Sequence, residues 1–236
     1  MGRNISKTII IELNGCCGCG KSTLAAVLGN MFKDKKIRYI TLNNLLDRNR
    51  TKWYHNLPGK NRELGYKLFR YSCSILPVRF DRMKYFKHVL NIYNAIEQVT
   101  EEHEYDIILL DEGILQGLSS IAYQDIICKR EVTKQIINLL YKDKEYYVVN
   151  CNLDYEELLF RINKRKRNAG RIDQYKEAGE LESILKSQYK NLSRLRSLLP
   201  KEIEIINLDM KKESMECAKD IYMKMQKAGF DNGRKE

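Results

Sequence analysis

The stretch Gly15-Cys16-Cys17-Gly18-Cys19-Gly20-Lys21-Ser22-Thr23 constrains this chain more than any other. It fits G-x-x-x-x-G-K-[ST], a pattern with meaning only between a strand and a helix. Both neighbours are present. Thr8-Ile9-Ile10-Ile11-Glu12-Leu13 is an apolar run of the buried-strand type. The run Leu24–Phe32 places Leu24, Val27, Leu28, Met31 and Phe32 at helical spacing. The physics is that of an anion cradle. Glycines let successive backbone N–H groups turn inward onto phosphate oxygens, and the helix N-terminus adds a positive dipole end. Gly15, Gly18, Cys19, Gly20, Lys21, Ser22 and Thr23 are the expected cradle. Lys21 is placed to reach the β- and γ-phosphates, and the Ser22 hydroxyl to hold Mg²⁺. The alternative, a plain Gly-rich turn, does not need this context.

Length and composition bound the rest. With 236 residues, 43% hydrophobic and 31% charged, the chain suits one sizeable α/β domain spanning 1–236. No apolar run approaches the ~20 residues of a membrane span. Seven cysteines form no matched pair of CxxC motifs, which argues against a disulfide framework or a zinc site and for a reducing cytoplasm. Cys16, Cys17 and Cys19 occupy variable positions of the loop. A helix N-terminus lowers a thiol's pKa, so oxidation there is expected to block nucleotide binding. The net charge of +11 suits phosphorylated partners, either small molecules or nucleic acid.

Along the chain, Ile37-Arg38-Tyr39-Ile40-Thr41-Leu42 alternates as a second strand, closing a βαβ unit and pointing to a parallel sheet. The span 43–103 reads as a helical insertion over the mouth of the site, with helices over Glu63–Leu76 and Arg82–Val99. Tyr105-Asp106-Ile107-Ile108-Leu109-Leu110-Asp111 is an apolar strand ending in carboxylates. Asp111 at such an end is placed to hold the Mg²⁺ shell; the bland alternative is a strand cap. Gly113 to Tyr123 reads as a loop and short turn, and Glu131–Tyr141 as a helix. A strand follows at Tyr146-Tyr147-Val148-Val149. Asp154 with Glu157 forms a capping box for the next helix. That helix turns basic at Arg161, Lys164, Arg165, Lys166 and Arg167, and Arg171 follows Gly170. The segment 161–176 reads as a lid that brings guanidiniums over a transferring phosphoryl group, or else as a solvated or nucleic-acid-binding face. A helix within Ile172–Leu199, a strand at Ile203–Leu208 and a helix at Met215–Met225 complete the chain.

Here the chain resembles the thymidylate-kinase branch of P-loop nucleoside monophosphate kinases. The likeness rests on Ile11-Glu12-Leu13-Asn14-Gly15 through Thr23, on Asn152 to Ile162 with Lys164-Arg165-Lys166-Arg167, on Arg171-Ile172-Asp173 and on Asn207-Leu208-Asp209. It implies a P-loop three-layer sandwich, with about five parallel strands, helices on both faces and a helical lid. It also implies ATP with Mg²⁺, and a loop after Asp209 that borders the adenine. Two departures stand out. The family's Asp-Arg-aromatic after the third strand is replaced by Asp111-Glu112-Gly113, and 43–103 lacks its acceptor pattern. Arg70, Arg79 and Arg82 are candidates for an acceptor phosphate. Glu112 is either a base toward an acceptor hydroxyl, as in deoxynucleoside kinases of related fold, or a group that holds a neighbour. Asn163-Lys164-Arg165-Lys166 lacks the acid of a guanine-reading motif.

The expectation is therefore a cytoplasmic Mg²⁺-ATP kinase acting on a small acceptor, foremost a nucleoside monophosphate. Lys21, Asp111, Glu112, Arg161, Arg165 and Arg171 are the catalytic candidates. A hydroxyl-bearing acceptor and a nucleic-acid-stimulated ATPase are the rivals, and a homodimer is compatible.

Overall fold

A computed structural model describes residues 8–48, 60–74, 81–122, 130–164, 178–228 and 230. Its centre is a parallel sheet of β1 (Ile9–Asn14), β2 (Tyr39–Thr41), β3 (Ile107–Leu110), β4 (Glu145–Asn152) and β5 (Glu204–Asp209), in the order β2-β3-β1-β4-β5. β1 is hydrogen-bonded on both sides, pairing Ile9 with Ile107 and with Glu145. β1 and β3 are buried along their whole length, which explains why they read as continuous apolar runs rather than alternating ones.

Alternate residues of β1 serve opposite layers. Ile9, Ile11 and Leu13 join a core with α1 (Lys21–Asp34) and α9 (Ser214–Lys227). Ile10 joins the other core, with α4 (Asp81–Glu102), α5 (Ile114–Ala122) and α6 (Arg130–Tyr141). α2 (Leu42–Arg48) and α3 (Lys60–Ser74) add to the second layer through Leu42, Leu45, Leu64, Leu68 and Tyr71. α7 (Tyr155–Asn163) and α8 (Ala178–Arg196) complete the described helices. The result is an α/β three-layer fold with the expected five parallel strands. No described helix is long and apolar enough to cross a membrane.

Three local expectations change. The second strand is three residues long, because Leu42 already opens α2. Within 43–103, α4 is not confined to the mouth of the site: Val89, Leu90 and Ile92 are fully buried in the core. The stretch after Gly113 is the helix α5, not a loop. Gly117 reads as a loop signal in sequence, yet it is a packing residue. A Cβ there would lie 2.5 Å from Val89 Cγ2, so the glycine lets α5 lie close against α4. Asp154 caps α7 as expected, with its Oδ1 accepting the Glu157 N–H at 2.9 Å.

Candidate active site

The Gly-rich loop leaves β1 at Asn14 and enters α1 at Lys21, at the C-terminal edge of the sheet. Gly18 and Gly20 adopt φ of 99° and 101°, the left-handed region that side chains resist. The Lys21 ammonium lies back over the loop. It donates to Gly15 O at 2.9 Å and to Cys16 O at 3.1 Å, with Cys19 Sγ at 4.0 Å. Burial pulls the Lys21 pKa down, but Cys19, Cys17, Cys151 and Glu112 together outweigh it and the net shift is upward, so the group stays charged. The partner thiol moves the other way. A hydrogen bond from Cys151 lowers the Cys19 pKa against burial, with the Lys21 charge assisting. Cys16 is pushed up to about 12 by burial. Thiolate character in the loop therefore gathers at Cys19.

The loop and the β3 exit meet. Ser22 Oγ donates to Asp111 Oδ2 at 3.1 Å, although 89 residues separate them. Two hard oxygen donors facing each other beside a phosphate cradle suit Mg²⁺. Among the described residues no group of three His, Cys, Asp or Glu side chains gathers to hold a metal. Thr23 follows in the first turn of α1 and is exposed. Glu112 is exposed next to Asp111. Its charge is felt by Lys21 and by His88 of α4, whose pKa burial lowers while Glu112 opposes.

Arg161 joins from α7. Its Nε donates to Glu157 Oε1 at 2.7 Å and its Nη2 to Met210 O at 3.1 Å. Its Nη1 lies 3.7 Å from where a Cβ on Gly20 would sit, so the guanidinium stands beside the loop. Asp209 ends β5, and its carboxylate accepts the Lys211 N–H at 3.0 Å, which turns the chain toward α9. The chain after β5, Arg161 and the loop are thus one cluster. Arg165 and Arg171 lie outside the described residues, as does Arg79. Arg82 is 4% exposed, and Arg70 lies over the Tyr66 ring at 5.7 Å.

Sequence reasoning missed three buried polar groups here. Glu12 is fully buried, with its carboxylate bonded to the Leu115 N–H and the Tyr141 hydroxyl. Asn14 is fully buried and accepts from Arg196 Nη1 at 2.7 Å. Gln116 is 8% exposed, and its Oε1 has no partner among the described residues. The available signal was Glu12 itself, an acid inside an otherwise apolar strand.

No family model matches the chain, and no curated protein matches it. Solved structures do. Deoxyadenosine kinase from M. mycoides, with products dCMP and a flexible dCDP bound, superposes at a TM-score of 0.51 and 13% identity, covering 92% of this chain and 99% of that one. Shikimate kinase from Acinetobacter baumannii, with shikimate, gives 0.47 and 13%, over 96% and 98% of the two chains. Deoxyadenosine kinase with bound dCTP gives 0.46 and 14%, over 93% and 99%. The first likeness shows the fold, and the class that fold and loop define together is the α/β P-loop class.

Proposed function

We propose that this protein is a kinase that transfers the γ-phosphoryl group of ATP to a small acceptor. The observation that carries the reading is the Ser22–Asp111 contact, which joins a full phosphate-binding loop to a strand-end carboxylate. Ser22 and Asp111 would hold Mg²⁺, which would supply positive charge to the triphosphate during transfer. The Lys21 ammonium swings from the loop carbonyls onto phosphate oxygens, where negative charge gathers as the phosphoryl group leaves. Arg161 borders the nucleotide with the chain after Asp209. Arg165 and Arg171 are assigned to a lid by the sequence resemblance alone. Arg161→Ala removes charge-assisted hydrogen bonds worth about 1.5–3 kcal/mol. We expect kcat/KM for ATP to fall roughly 10- to 100-fold. Thermal stability should barely move, because the Arg161–Glu157 pair is about one-third exposed on both sides. Unchanged steady-state kinetics would remove Arg161 from the site.

For the acceptor, the arrangement supports a hydroxyl group over a phosphate. Glu112 stands exposed beside Asp111, as a base toward a hydroxyl must. Of the three arginines nominated for an acceptor phosphate, Arg82 is buried, Arg70 lies over the Tyr66 ring, and Arg79 is outside the described residues. A nucleoside or a similar polyol is the acceptor class of this reading. A nucleoside monophosphate is the reading of the thymidylate-kinase resemblance. A panel of nucleosides, nucleoside monophosphates and small hydroxy acids with γ-labelled ATP separates them. Glu112→Gln should cut turnover of a hydroxyl acceptor by about 10²- to 10⁴-fold. A phosphate acceptor arrives already ionised, so its turnover should be nearly unaffected, and that result would replace the hydroxyl reading.

A further inference from the structure

Glu12 sits in the middle of the sheet, yet it touches neither the loop lysine nor the strand-end carboxylates. Both its oxygens are engaged. Oε1 accepts the Leu115 N–H at 2.7 Å, and Oε2 accepts the Tyr141 hydroxyl at 2.6 Å. The amides of Ile114 and Gln116 turn toward the same carboxylate. All three amides belong to the first turn of α5, so the side chain caps that helix from another strand, 103 residues away. Gly113 admits it: a Cβ there would lie 2.4 Å from Glu12 Cδ. In the sheet Glu12 pairs with Leu110, the residue before Asp111. Residue 12 therefore ties β1, which delivers the phosphate loop, to both ends of the turn Asp111-Glu112-Gly113: its backbone pairs with β3 just before Asp111, and its carboxylate holds the helix that starts after Gly113.

We propose that Glu12 is a positioning residue that holds Asp111 and Glu112 in register with the phosphate loop, and that it does so only as the anion. The proposal rests on the phosphoryl-transfer reading for its effect on turnover. A helix N-terminus favours a negative charge, so a protonated Glu12 grips the first turn of α5 less firmly. The titratable groups that face it are Tyr141 from α6 and Tyr146 from β4, and α5 contributes amides. Burial raises the Glu12 pKa to about 7, with the Tyr141 and amide hydrogen bonds opposing, so the grip changes near neutrality.

The test is amide hydrogen exchange of residues 114–116, corrected for intrinsic rates, beside the pH profile of kcat. Wild type, Tyr141→Phe and Glu12→Gln are compared from about pH 5.5 to about pH 8.5, the range that brackets a neutral pKa. In wild type, protection and kcat should rise together through one inflection near pH 7. Tyr141→Phe removes a bond that favours the anion and should move that inflection upward by about one unit. Glu12→Gln should keep the fold and erase the inflection. A purely structural role predicts no movement in Tyr141→Phe. An unmoved inflection there, or one that persists in Glu12→Gln, overturns the proposal. Exchange reads the corner without turnover. If the exchange inflection shifts but no acceptor is phosphorylated, the kinase reading falls and the pH-dependent grip on α5 stands.

Discussion

Lys21→Ala is expected to abolish phosphoryl transfer and leave the fold standing. The Lys21 side chain is 7% exposed, and its ammonium bonds are to Gly15 O and Cys16 O of its own loop. Its loss therefore disturbs the loop and not the two cores on either side of the sheet. In transfer the same ammonium stabilises charge that builds on phosphate oxygens. Removing one such preorganised group costs about 10²- to 10³-fold in kcat, and the loss of a full positive charge sets that as a floor. The Cys19 thiol also loses the neighbouring charge that lowers its pKa. Initial rates with labelled ATP, beside a thermal melt of the same variant, check both halves. Retained turnover in a folded variant would sink the mechanism.

Glu12→Gln is expected to stabilise the protein above neutral pH. The sign follows from burial. Burial raises the Glu12 pKa from the ordinary 4.5 to about 7 in the folded chain. Between these values the folded state holds a proton that the unfolded state has released. Stability therefore falls as pH rises through this window, and the cost is complete above about pH 7. A difference of some 2.5 units corresponds to about 3 kcal/mol. Glutamine has the same shape and no charge to desolvate. It can accept from Leu115 N–H and donate to the Tyr141 oxygen. Urea unfolding near pH 5 and near pH 8 should show a gap between variant and wild type that widens with pH. A gap independent of pH would mean that folding does not raise the Glu12 pKa above its unfolded value. Gain in stability with loss of a pH-tuned corner is the trade expected where a site keeps a strained group.

Much of the architecture is legible in the chain because the cues are local. A buried parallel strand is a run of apolar residues, and β1, β3 and β4 show as such. Helix periods mark α1, α4 and α9. The loop motif carries its own geometry, since Gly18 and Gly20 are placed where the backbone must turn left-handed. α5 is the instructive failure. Its N-terminus is capped by Glu12 rather than by a residue of its own, and its Gly117 is there for Val89. Neither reason is visible within a window of ten residues. β2 is cut short for a similar cause, because Leu42 and Leu45 bury themselves in the core as a helix.

The sequence by itself pointed to the phosphate loop, the parallel strands and, one at a time, the metal candidates Ser22 and Asp111, because each is marked by residue types within its own short stretch. Tertiary structure decided that those two side chains meet at 3.1 Å and that Arg161 stands beside Gly20. It also decided that the Lys21 ammonium lies beside Cys19 and that one buried carboxylate, Glu12, fastens the β3 exit to the strand of the loop. All but the Lys21–Cys19 contact join residues far apart in the chain. The balance of burial against hydrogen bonding that sets their charge exists only once the two cores have closed around them.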